Sequence, residues 1–260
     1  MNGASNAETV LEVQDISKNY DQFSALSNIT FQLQAGEILS FIGPNGAGKT
    51  TLLKILSGFL TSDSGTILIH EKDLTNQLNH LNALVSTVFG GGTGFYKSAS
   101  VQENLNFFAN LSGLKRAVKS ERIRQVLEVV QLSDQKSKRV SKLSMGMLQR
   151  LHIARGLLKE SPILLLDEPT NGVDAEMSRD IREVVRQIAQ KGTAIILTSH
   201  ILHEVSDLAD RIILLNHGEM AFSGDLEAIV EASGVTRIDR PATLEESYLG
   251  LMAKLGGAHG

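Results

Sequence analysis

The stretch from Ile38 to Leu56, ILSFIGPNGAGKTTLLKIL, constrains this chain more than any other. An apolar run of strand length, Ile38 to Ile42, leads into Gly43-Pro44-Asn45-Gly46-Ala47-Gly48-Lys49-Thr50, and an apolar-periodic segment of helical character follows. This is the GxxxxGK[ST] pattern in the strand–loop–helix setting that it requires. Gly43, Gly46 and Gly48 admit backbone conformations closed to residues with a Cβ, and they let the main chain approach a ligand. Successive loop N–H groups form a concave nest for oxyanions, and the helix opening near Lys49 adds the positive end of its dipole. Lys49 reaches the β- and γ-phosphates and the Thr50 hydroxyl ligates Mg²⁺, with Asn45 and Thr51 completing the set. The pattern predicts a bound nucleoside triphosphate.

Two further apolar runs end in polar residues. Ile163 to Leu166 closes on Asp167-Glu168, as a buried parallel strand with chemistry at its carboxyl end would. Asp167 then sits beside Mg²⁺, and Glu168 points at the γ-phosphate. Ala194 to Thr198 repeats the design and leads to Ser199-His200. His200 and His203 are spaced to share one helix face, where a metal pair is conceivable. No third ligand is evident, so His200 is read as a hydrogen-bonding group on phosphate.

The rest of the chain frames these runs. With 260 residues it is long enough for one large α/β domain or a core with a sizeable insertion. A net charge of −4 gives no general reason to bind nucleic acid, and the absence of cysteine excludes disulfides and thiolate metal sites. MNGASNAETV lacks the regions of a signal peptide, and no apolar run approaches the ~20 residues that cross a bilayer. The chain is expected to be soluble, so a membrane role needs a partner.

Val10 to Asp15 and Ile29 to Leu33 alternate as half-exposed antiparallel strands, and Tyr20 between them is a candidate to stack on a purine base. Thr66 to Ile69 and Val85 to Phe89 read as strands, the second running into Gly90-Gly91-Gly92. From Val101 to about Val130 the period is helical, with basic residues best explained as a solvated surface. Ser144 and Gly146, in Leu143-Ser144-Met145-Gly146-Met147, open another helix and form a second candidate anion site. Arg211 to Leu215 and Glu219 to Ser223 make a closing hairpin about His217-Gly218. Asp225 to Gly260 is mostly helical and ends in a Gly-rich tail expected to be disordered.

The ordered set of phosphate loop, helical insertion, LSMGM, ILLLDEP, Asn171-Gly172-Val173-Asp174 and Thr198-Ser199-His200 resembles the ATP-binding subunit of ABC transporters over nearly the whole chain. The resemblance implies an α/β fold: a P-loop NTPase (RecA-like) core, an N-terminal antiparallel β subdomain and an inserted α-helical subdomain. The ATP-binding domain is expected over residues 8–228, with the insert near 93–160 and a C-terminal extension over 229–260. The resemblance further implies ATP and Mg²⁺ as ligands, a base stack at Tyr20, a general base at Glu168, and a switch histidine at His200. It puts Asp174 in the loop coupling two sites of a dimer, and Ser144 and Gly146 on ATP bound to the opposite subunit.

Two departures from the family pattern stand out. Met145 and Met147 replace the third and fifth residues of the usual LSGGQ. Such SxGM variants, with Leu244-Glu245-Glu246-Ser247-Tyr248-Leu249 near the end, resemble the drug, antibiotic and polysaccharide exporter branch. The family also places a glutamine after the strand at Val85 to Phe89, where Gly90-Gly91-Gly92 stands here and Gln102 lies too far on. No residue is assigned to that role.

The reading is an ATP-hydrolysing motor of an export system. It would act on a separate integral-membrane permease at the inner face of the cell membrane, as a homodimer or with a homologous ATPase. The alternative is a non-transport ABC ATPase acting on DNA or ribosomes, but the coiled-coil insertions or tandem cassettes usual there are missing. A P-loop kinase or GTPase leaves LSMGM and His200 without a role.

Overall fold

The computed structural model describes residues 8–89, 94–237 and 240–257. Strands β1 (Thr9–Tyr20) and β2 (Phe23–Gln34) form one long antiparallel hairpin, where alternation alone predicts Val10–Asp15 and Ile29–Leu33. The ladder carries register shifts, and Asp15 and Asn28 take φ of 51° and 50°. Bulges of this kind break the period-2 pattern while hydrogen bonding continues, so the strands outrun their alternation.

β3 (Ile38–Ile42) and helix α1 (Lys49–Leu56) follow, then β4 (Ser64–Ile69), which pairs antiparallel with β1, and the short β5 (Lys72–Asp73) beside it. Helix α2 (Leu78–Leu84) leads into β6 (Val85–Val88). Gly90-Gly91-Gly92, where the missing glutamine is placed, lies outside the described residues. The inserted helices are α3 (Val101–Leu111), α4 (Arg116–Val129) and α5 (Met145–Leu157). Ser100 and Glu103 close a reciprocal capping box at the start of α3, which satisfies two otherwise orphan N–H groups.

β7 (Ile163–Asp167), α6 (Ala175–Gln190), β8 (Ala194–Thr198), α7 (Leu202–Leu208) and β9 (Arg211–Asn216) complete the core, and β10 (Glu219–Gly224) turns back on β9 as expected. The main sheet runs β10-β9-β3-β8-β7-β6 and is parallel apart from β10; the second sheet runs β2-β1-β4-β5. β3 and β8 are buried at every residue, and β7 at all but Asp167. Such uniformly apolar strands need cover on both faces. One face packs on α3 to α6, and the other on α1 and the antiparallel sheet.

His200 precedes α7, which begins at Leu202, so His200 and His203 do not share a helix face as their spacing suggests. Ile201 takes the N-cap position, and a non-helical residue there breaks the i, i+3 relation. Helices α8 (Leu226–Ser233) and α9 (Leu244–Gly257) end the chain, and the helix therefore takes in the first glycines of the tail; residues 258–260 lie outside the described residues.

Candidate active site

Parallel pairing brings the carboxyl ends of β3, β7 and β8 to one edge of the sheet, where ligands of open α/β sheets bind. After β3 the chain turns through Gly43 at φ 148°, where a Cβ would stand 2.2 Å from the carbonyl oxygen of Leu215. Gly48 caps α1 at φ 103°, and a Cβ there would stand 2.5 Å from the carbonyl oxygen of Ala25. Both glycines are required by conformation and by contact. Lys49 Nζ donates to the carbonyls of Gly43 (2.7 Å) and Pro44 (2.9 Å), which holds its ammonium across the mouth of the loop. Burial lowers the Lys49 pKa from the usual lysine value, while the carboxylates of Glu168 and Asp167 pull it back up.

Asn45, Gly46, Gly48, Lys49, Thr50, Thr51, Asp167, Glu168 and Tyr20 all line one cleft of about 250 Å³. The backbone of Gly43 joins it through Lys49. At its end, Asp167 Oδ1 accepts from Thr198 Oγ1 at 2.6 Å. The backbone N–H of Glu168 donates to both the carbonyl (3.1 Å) and the hydroxyl (3.2 Å) of Thr198. Glu168 itself sits at φ 49°, a left-handed conformation that costs a non-glycine residue about 1–3 kcal/mol. Its carboxylate meets His200 Nδ1 at 3.1 Å through Oε1 and accepts from Asn171 Nδ2 at 2.8 Å through Oε2. His200 thus contacts the acid of the site.

Ser144, Gly146 and Asp174 do not line this cleft. Ser144 caps α5, its Oγ accepting from Met147 N at 3.2 Å. Asp174 caps α6, its Oδ1 accepting from Met177 N at 2.9 Å. A Cβ on Gly146 would lie 2.3 Å from Met177 Sδ, so the signature helix and the Asp174 turn meet at that methionine.

Three contributors escape sequence reasoning. Thr198 acts through hydrogen bonds across the sheet edge, and the polar end of an otherwise apolar strand is its trace, whereas Asn171 acts within its own turn, three residues from Glu168. Phe23 faces Tyr20 across the hairpin tip and lines the same cleft, both side chains being exposed. The short turn between two aromatics could have signalled it. Replacing either ring by alanine is expected to weaken ATP binding by about 1–3 kcal/mol if that ring carries the base. Titration of each variant with a fluorescent ATP analogue measures this, and unchanged affinity in both would remove stacking from the site.

A phosphate loop at the carboxyl edge of a parallel sheet, with an acid pair on the adjoining strand, defines a P-loop nucleoside triphosphatase. Residues 26–171 match the family model described as ABC transporter. The chain is 34% identical over 208 residues to the ABC transporter ATP-binding protein NatA of Bacillus subtilis (strain 168), covering 80% of this chain and 85% of that protein. It is 35% identical over 214 residues to the bacitracin transport ATP-binding protein BcrA of Bacillus licheniformis, covering 82% and 68%. The solved structure of an ATP-binding subunit of an ABC transporter superposes with a TM-score of 0.79 at 29% identity, covering 94% of this chain and all of that one. The chain belongs to the ABC transporter ATP-binding family, a class of ATP hydrolases.

Proposed function

We propose that this chain is the motor of an export system, in which two ATP-binding subunits close around two ATP molecules and drive a separate membrane-spanning permease. The observation that carries the hydrolytic half is Glu168, held by His200 and Asn171 beside the phosphate loop. The loop amides and Lys49 bind the β- and γ-phosphates. Glu168 orients the attacking water and takes its proton as the water oxygen bonds the γ-phosphorus and the bond from that phosphorus to the β,γ-bridging oxygen breaks, releasing ADP and phosphate, and His200 keeps that carboxylate in line. The hydroxyl of Thr50 and the carboxylate of Asp167 are hard oxygen donors on one cleft, a set that suits Mg²⁺ with phosphate and water completing its shell. When bound, Mg²⁺ neutralises charge on the phosphates.

Dimerisation is supported by the separation of the two helix N-termini within one chain. Ser144 and its helix lie off the cleft and Met145 is exposed, so a second copy can bring this end onto the bound phosphate. In this reading residues 8–228 form the ATP-binding domain, 93–160 its helical insert and 229–260 an extension. Export itself is supported by the SxGM signature, and transport by the similarity to BcrA.

Among the described residues no helix is long and apolar enough to cross a membrane, so the permease is a separate element of the proposal. Its docking site is a groove between core and insert, where Phe59 and Leu111 are exposed by 62% and 74% beside Phe89 and Phe108. Apolar surface of this kind marks an interaction site. Co-purification from gently solubilised membranes is expected to bring down an integral-membrane protein. Phe59→Asp with Leu111→Asp is expected to lose it while keeping ATP affinity. A ribosome or DNA in its place would overturn the proposal.

A further inference from the structure

Glu204 is buried, with 7% of its surface exposed, on the first turn of α7 and four residues after His200. Its two oxygens grip two other elements. Oε2 accepts from the hydroxyl of Thr170, two residues beyond Glu168, and Oε1 accepts from the hydroxyl of Ser178 on α6. Arg182, also on α6, pairs with Oε1 at 3.1 Å and donates to the Ser178 hydroxyl at 2.8 Å. Thr170 and Ser178 are themselves buried, at 4% and 3% exposure.

The acid and histidine of the candidate site are placed differently. The side chains of Glu168 and His200 are 30% and 53% exposed, so packing does not set their separation. Each sits on a short connection, one leaving β7 and one leaving β8. Below them, one carboxylate ties the Glu168 connection, α6 and α7 together. A buried ion pair of this sort is a poor source of stability, because its desolvation offsets most of its attraction. Its geometric effect is large, since three elements share one anchor.

We propose that Glu204 is a positioning residue for ATP hydrolysis, fixing the His200–Glu168 contact by holding the start of α7 against Thr170. It acts through His200 and touches neither nucleotide nor water. This rests on the hydrolytic reading of His200 and Glu168 given above.

The test is steady-state ATP hydrolysis by the full chain bearing Glu204→Gln, His200→Ala or both. Glu204→Gln is expected to lower kcat between about ten- and a hundred-fold, with KM for ATP held within about two-fold. In the His200→Ala background the same change is expected to cost nothing further, because the contact it positions is already gone. Multiplicative losses in the double variant, or a KM that rises with the fall in kcat, would reduce Glu204 to a structural residue and overturn the assignment. Full turnover in His200→Ala alone would remove the histidine from the reaction, and Glu204 with it, a result read from that single variant. Should Glu204→Gln fold poorly, Thr170→Val removes one bond to the same carboxylate at nearly constant shape. It is expected to show a smaller kcat loss with the same lack of additivity, and additivity there would overturn the proposal equally.

Discussion

Glu168→Gln is expected to lower ATP turnover by about 10²–10⁴-fold while ATP still binds. The amide keeps the size of the acid and can still accept from Asn171, so the turn at φ 49° has no reason to relax. What it loses is the capacity to take a proton from water. It also removes a negative charge from a cleft built for a polyphosphate, so affinity for ATP should hold or rise. With hydrolysis blocked, the nucleotide-bound dimer should accumulate and be visible in size-exclusion chromatography with ATP. Turnover at the wild-type rate would show that another group is the base.

The second large effect is expected at Ser144, where hydrolysis should be lost with ATP affinity in the single chain nearly intact. Ser144→Arg puts a long cation at the N-terminus of α5, against the helix dipole and in the path of a facing subunit. It also removes the cap to Met147, a loss of about 1 kcal/mol, so the thermal melting of the variant is measured beside its turnover to separate lost stability from lost hydrolysis. Mixing the two defective chains sharpens the test. A dimer of one Ser144→Arg chain and one Glu168→Gln chain contains one site with an intact loop and acid from the first and an intact signature from the second. Recovered turnover in the mixture is the expected result. A mixture as inactive as its components, at concentrations where dimers form, would argue for a site complete within one chain.

The order of motifs made much of the core legible. Ile38 to Ile42, Ile163 to Leu166 and Ala194 to Thr198 read as buried parallel strands because strands covered on both faces are apolar throughout, and they are. The first inserted helix, α3, was equally plain from its 3.6-residue period. Less legible were β1 and β2, whose bulges at Asp15 and Asn28 interrupt the alternation used to find strands. The His200–His203 spacing misled for a related reason: periodicity says which residues share a face only inside a helix, and α7 starts after His200.

By itself the sequence determined the chemistry available to this protein: a glycine loop with a lysine, an acid pair ending a strand, a histidine ending the next. These are local features, set by residue type and short spacing. Tertiary structure alone decided how they meet. Thr198 orients Asp167 across 31 residues of chain, His200 holds Glu168 across 32, and Glu204 reaches Thr170 across 34. Those contacts depend on strand order in the sheet and on which loops it brings to one edge. Cooperative packing of the whole core sets that order, and no short window of sequence encodes it.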